Sequence, residues 1–114
     1  MILIFSRRLP MKTTVMLTLS LVVSVGVAHG GAAEGKDLYN AKCQSCHGAN
    51  GEGKAAVGRA FGVIMKALGS KEVQATSAAD MKKAILSGTG KMKPVAGITD
   101  KQADDIVAYV KTLK

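Results

Sequence analysis

Residues 34–114 are predicted to fold as an all-α domain of about four short helices, on three observations. The last segment of the chain carries a full set of helix start and periodicity signals. The middle is divided by glycines into short stretches with helical patterning. No run of alternating apolar and polar residues announces a strand, and there is no internal repeat or low-complexity tract.

The elements follow in chain order. Gly35 and Tyr39 stand four apart in Glu34–Lys42, which puts them on one face of a first helix. Gly48-Ala49-Asn50-Gly51-Glu52-Gly53 then reads as a turn-rich loop. A short helix is expected over Arg59–Leu68, bounded by Gly58 and Gly69. Ser77–Leu86 is the next, with Ser77 as N-cap, Asp80 at the capping-box position and Gly88 just past the end. The final helix is the clearest. Thr99 and Gln102 form a capping box, Asp100 adds negative charge to the first turn, and Ile106, Tyr109, Val110 and Leu113 make one apolar stripe. Lys111 and Lys114 suit the negative end of the helix dipole.

The first part of the chain reads as targeting signal. Arg7, Arg8 and Lys12 precede an apolar run from Val15 to Ala28, which gives way to Gly30, Gly31, Ala32 and Ala33. A basic start, a short apolar stretch and a small-residue exit describe a secretory signal peptide, so residues 1–33 are expected to be cleaved at Ala32 or Ala33, and Met11 is a candidate initiator. The rival is an uncleaved anchor, but the apolar stretch is roughly 14–16 residues against the ~20 that span a bilayer comfortably. The expected product is a soluble periplasmic domain with no stable membrane anchor.

The whole chain of 114 residues has a formal net charge of +8; beyond residue 33 there remain thirteen Lys and Arg against eight acids. Domains this small bury little surface and often depend on a staple, metal or cofactor. Beyond the signal there is no Trp, one Phe (Phe61) and two Tyr (Tyr39 and Tyr109), so something other than aromatic side chains must fill the centre.

Cys43-Gln44-Ser45-Cys46-His47 supplies the reason. C-x-x-C-H is the pattern of c-type haem attachment. Two thiols three positions apart can each add to one vinyl group of a single porphyrin, and the adjacent His47 is then held with a ring nitrogen towards the iron. A thioredoxin-like pair would want a βαβ context, which is not visible. A zinc site would want a fourth ligand, but there is no other Cys, and His29 lies in the signal. A disulfide between the two thiols would leave His47 without a role. One covalent haem c and its iron are therefore the expected cofactor, held by Cys43 and Cys46 with His47 as metal ligand.

A six-coordinate electron-transfer haem needs a ligand on its other face, and the chain after His47 has no further His. It offers Met65, Met81 and Met92. Met81 lies in a helical pattern beside Ile85, and Met65 in Val63-Ile64-Met65-Lys66-Ala67-Leu68, so both suit packing. Met92 follows Gly88 and Gly90 and precedes Pro94, in a segment that neither helix nor central strand tolerates. Met92 is the favoured metal ligand. His/Met ligation raises the reduction potential, because a thioether sulfur favours ferrous iron.

On these residues the chain resembles a class I c-type cytochrome of the small bacterial monohaem kind, over nearly all of Glu34–Lys114. The resemblance implies a cytochrome c-like fold in which N- and C-terminal helices cross near the attachment loop. A small Gly and an aromatic on the first helix there meet an aromatic on the last, roles that Gly35, Tyr39 and Tyr109 match by position. Lys91-Met92-Lys93-Pro94 is similar to the family's Met-ligand loop, and Ile106-Val107-Ala108-Tyr109-Val110 resembles its C-terminal helix. One departure stands out: many members place a Pro about a dozen residues after the haem His, whose carbonyl accepts the His Nδ1 hydrogen bond. Here there is no Pro between His47 and Pro94, so a backbone carbonyl near Gly58 or Arg59 is expected to replace it.

The function expected is a one-electron carrier, not an enzyme, shuttling between respiratory or photosynthetic redox partners. With Met92 as ligand, Lys54, Lys91 and Lys93 would flank the haem pocket, with Lys42 next to Cys43, and such lysines would steer a redox protein with an acidic docking surface, although lysines also simply solvate small helical proteins. Nucleic acid is disfavoured, as no basic stripe is interleaved with aromatics. One alternative is a haem subunit of a larger oxidoreductase, since one fold serves both roles. The other is a small haem peroxidase or sensor, which would need a distal His or Arg; only Arg59 remains.

Overall fold

The computed structural model describes residues 31–114, so the leader assigned to residues 1–33 falls almost wholly outside the described residues. Six helical segments follow one another: α1 (Ala32–Lys42), α2 (Gln44–His47), α3 (Ala55–Phe61), α4 (Lys71–Gln74), α5 (Ala78–Ser87) and α6 (Asp100–Val110). Among the described residues, β pairing is confined to one isolated bridge between Thr89 and Met92. Among the same residues, no helix is long and apolar enough to cross a membrane.

The domain is organised by the contact of α1 with α6. The Glu34 carboxylate accepts a hydrogen bond from Gly31 N–H at 3.0 Å, which secures one free donor at the start of α1. Thr99 and Gln102 make the full reciprocal capping box at the start of α6, at 3.0 and 3.1 Å. At the crossing, a β-carbon added to Gly35 would lie 1.8 Å from the Asp105 carbonyl oxygen. The backbones therefore meet directly at this point, and any side chain at residue 35 would prise them apart. One turn on, Tyr39 is wholly buried and its ring sits 5.2 Å from that of Tyr109, tilted by 58°. The pairing anticipated for Gly35, Tyr39 and Tyr109 is present.

Tyr39 also ties α1 to the loop after α2, because its hydroxyl donates to the buried Gly48 carbonyl at 2.5 Å. Burial, reinforced by nearby acidic groups beginning with Cys43, pushes this hydroxyl up to about 12. A phenol raised in the folded state stabilises the fold below its ordinary value near 10, and this contribution is lost as pH rises through 12. Tyr39→Phe leaves the Gly48 oxygen buried without a donor, so a loss of about 1–3 kcal/mol is expected in denaturant unfolding at neutral pH. The variant should also lose less stability than the parent between pH 10 and 12. An unchanged midpoint would mean that the Gly48 carbonyl finds another donor.

The predicted helix over Arg59–Leu68 is displaced: α3 covers Ala55–Phe61 and stops at Gly62, in the left-handed region at φ 66°. Val63 N–H donates to Gly58 O at 2.9 Å and Gly62 N–H to Arg59 O at 3.3 Å, a double closure that only a glycine permits cheaply. Gly58 is thus not a boundary. It lies inside α3, buried, where a β-carbon would meet Val63 O at 2.6 Å. Residues 62–70 are irregular and lead to the single turn α4, capped by Ser70.

Ser77 caps α5 by accepting from Asp80 N–H at 3.1 Å; the return bond from the Asp80 side chain is not made. Lys111 serves α4 instead of its own helix, donating to Gln74 O and Thr76 O at 2.8 and 2.5 Å. Gln74 Nε2 in turn donates to Leu68 O and Val110 O at 2.8 and 2.9 Å, which fastens the irregular segment to the end of α6. Met81 and Ile85 are buried together on α5, as their four-residue spacing anticipates, and pack with Ala103, Ile106, Val107 and Val110 of α6.

Candidate functional site

The C-x-x-C-H segment grows directly out of α1. Cys43 N–H donates to Tyr39 O at 2.8 Å, closing the first helix, and Cys43 O accepts from Cys46 and His47 at 3.2 and 3.0 Å, opening the next turn. One helical turn thereby fixes the spacing of the two thiols. Cys43 is buried and Cys46 exposed, and both are free. Burial first, and Cys46 second, push the Cys43 thiol up to about 11. The loop behind is pinned to the same turn, since Gly53 N–H donates to His47 O at 2.7 Å and Lys54 N–H to Cys46 O at 3.2 Å.

His47 is the chemically informative residue. Burial lowers its pKa and so favours the neutral imidazole, the form that ligates metals. Its Nδ1 is buried and has no hydrogen-bond partner. The carbonyls of Gly58 and Arg59 do not take up the role foreseen for them; they accept from Val63 and Gly62 in closing α3. A buried polar ring atom left alone is costly; Nδ1 is the nitrogen that a carbonyl acceptor would orient, and the other ring nitrogen is the one left to face a metal.

Met92 is held by its backbone. Thr89 and Met92 exchange hydrogen bonds of 3.0 and 2.9 Å around a tight turn containing Gly90 at φ 54°. Gly88, at φ 78°, lets Met92 O and Pro94 come within 2.7 and 2.9 Å of where a β-carbon would stand. Val95 N–H then donates to Ile85 O at 2.9 Å and anchors the loop on α5.

Two adjoining cavities, of about 500 and 650 Å³, are bordered in common by Cys43, His47, Met65, Thr89 and Met92. The first reaches inward to Tyr39, Met81, Ile85, Ile106 and Val110; the second has Cys46, Phe61, Val63, Pro94 and Val95 on its walls. Each volume lies within the ~300–1,000 Å³ of small-molecule and cofactor sites, and the walls are predominantly apolar. Sequence reasoning missed Phe61 and Val63 as wall residues because residues 59–68 read as a helix, and Val57 because the stretch before Gly58 carries no predicted element. Lys42, Lys91 and Lys93 border the second cavity as foreseen. Lys54 is exposed at the start of α3 and borders neither. Lys66, unforeseen, borders the first.

Residues 32–114 match the family of cytochrome c. The chain belongs to the cytochrome c family. It is 36% identical over 90 residues to cytochrome c-554(547) of Halothiobacillus neapolitanus, across 75% of this chain and 99% of that one. Among solved structures it is similar to the c-type cytochrome KustC0563, at a TM-score of 0.60 and 28% identity over 70% of this chain and 96% of that one. The fold also matches cytochrome cL from Hyphomicrobium denitrificans, at a TM-score of 0.55 and 22% identity, over 73% of this chain and 47% of that protein. As a member of the family this cytochrome is a haem-based electron carrier with one covalently bound c-type haem and its iron. The residues present fit that group: paired thiols on one turn, a half-buried imidazole whose neutral form is favoured, and an apolar cleft beside them.

Proposed function

We propose that this cytochrome is an exported one-electron shuttle whose haem is joined to Cys43 and Cys46, with His47 and Met92 as axial ligands, and that it catalyses no reaction itself. The observation that carries this reading is the convergence of Cys43, His47 and Met92 on one cleft, with burial favouring the neutral His47 imidazole. The bound haem supplies a reversible one-electron couple; the chain supplies position, an apolar surrounding and two fixed ligands.

Met65 also borders both cavities. It packs, however, on the loop behind His47, for Gly53 would place a β-carbon 2.7 Å from Met65 O, and Gly53 N–H is bonded to His47 O. That location suits a residue on the His47 side of the haem. Met92 comes from a separate loop tied to α5, which suits the opposite side. X-ray absorption at the iron edge of the parent and of Met92→Ala tests the assignment: one sulfur and five nitrogen neighbours are expected in the parent and no sulfur in the variant, and a sulfur neighbour retained in the variant would overturn it.

The redox partners proposed are proteins with an acidic surface, met in the periplasm after the leader has been removed. Lys42, Lys91 and Lys93, which border the cavity on the Cys46 side, would steer the encounter. Reversing both Lys91→Glu and Lys93→Glu should slow electron transfer with an acidic partner roughly tenfold at low ionic strength and flatten its salt dependence, as stopped-flow absorption would show. Equal rates and salt slopes for the variant and the parent would place docking elsewhere.

A further inference from the structure

The two cavities differ in a way that bears on how the haem lies. Cys43 borders both, but Cys46 borders only the second, so the thiol pair marks one end of the combined cleft. In a porphyrin of this type the two vinyl groups and the two propionates project from opposite edges. A group stitched by its vinyl edge at the Cys46 end must therefore direct its carboxylates towards the first cavity. Taking those carboxylates into an apolar cleft is costly unless donors or a cation meet them.

On the first cavity the charged side chains are Lys66 and Asp80, with Thr76 and Thr89 as hydroxyl donors and the Tyr39 hydroxyl already committed to Gly48 O. Asp80 repels a carboxylate. Lys66 is the cation there, and its ammonium is paired in this structure with Glu72 of α4. Both partners of that pair are more than half exposed, so the pair is worth little and readily exchanged. The segment carrying Lys66 is held in place independently, since Leu68 N–H donates to Gly51 O at 2.7 Å and Leu68 O accepts from Gln74.

We infer that Lys66 is the chain's cation for a haem propionate, binding it by a charge-assisted hydrogen bond and thereby setting the orientation of the carboxylate edge. This inference rests on thioether attachment at Cys43 and Cys46. Lys66 is a positioning residue: it touches the cofactor's periphery and leaves the iron to other groups. Lys42, Lys91 and Lys93 do not share this role, because they border the cavity at the thioether end.

The test uses the haem-loaded protein, with covalent attachment first established by mass spectrometry. Resonance Raman spectra report the propionate bending mode, which responds to hydrogen bonding at the carboxylate. Lys66→Met should shift that band, Lys66→Arg should restore it, and Lys91→Met should leave it in place. A second measurement separates the propionate from Glu72. In Glu72→Gln, acetic anhydride should label Lys66 about tenfold more slowly than Lys91, because a charge-assisted bond must open before the amine reacts. A band unmoved by Lys66→Met, or labelling of Lys66 as fast as Lys91 in Glu72→Gln, would overturn the inference while leaving the attachment reading intact. Haem lost from the chain at the mass-spectrometric step would overturn the attachment reading itself.

Discussion

Met92→Ala is expected to convert a closed iron site into an open one without unfolding the domain. The Met92 backbone is fixed by its exchange of hydrogen bonds with Thr89, and neither bond needs the side chain. Removing the thioether should lower the reduction potential, since sulfur ligation favours ferrous iron. It should also let the ferrous protein bind carbon monoxide and the ferric protein bind imidazole, both visible by absorption titration. Met65→Ala, at a residue whose backbone packs against Gly53 behind His47, should keep the closed spectrum. A Met92→Ala protein that refuses exogenous ligands and keeps the parent potential would show that another group completes the coordination.

Gly35→Ala should be the most destructive single methyl in the chain. The added carbon would stand 1.8 Å from Asp105 O, 2.5 Å from its carbonyl carbon and 3.0 Å from Ile106 N. All three are backbone atoms of α6, so no rotamer change relieves the clash; the helices must separate, taking Tyr39 away from Tyr109. A cost above about 4 kcal/mol is expected, comparable with the whole stability of a small domain. Gly62→Ala is the control, for it meets nothing within 4 Å and only strains a left-handed turn, costing about 1 kcal/mol. Yield of haem-loaded protein and denaturant midpoints would show the contrast. Comparable stability for the two variants would mean that the α1–α6 contact does not organise the fold.

What could be read in the sequence was local. The Thr99–Gln102 box specifies the start of α6 by short-range chemistry alone and matches the structure; of the stripe, Ile106 and Val110 are buried and Tyr109 half-buried, while Leu113 lies beyond the helix end at Val110. Gly35, Tyr39 and Tyr109 were legible through spacing and family likeness, and the contact they make is present. The segment 55–68 was misread because Gly58 looks like a helix boundary, whereas its lack of a side chain serves a close approach to Val63 O from inside α3. That approach depends on tertiary folding back of the chain, which no local pattern reports. The carbonyls of Gly58 and Arg59 accept from Val63 and Gly62 there, and neither is bonded to His47 Nδ1. Lys66 escaped notice for a similar reason, since only the fold separates the cavity end that holds Cys46 from the end that holds Lys66.

The account depends above all on a haem bonded to Cys43 and Cys46. Acid–acetone extraction of protein made in a host with haem-ligation machinery, followed by a pyridine haemochrome spectrum of the polypeptide, tests this most directly. The expected result is that all the haem stays with the chain and shows the band position of two saturated vinyl groups, one haem per polypeptide. Haem that passes into the acetone, or a spectrum with intact vinyl groups, would contradict it.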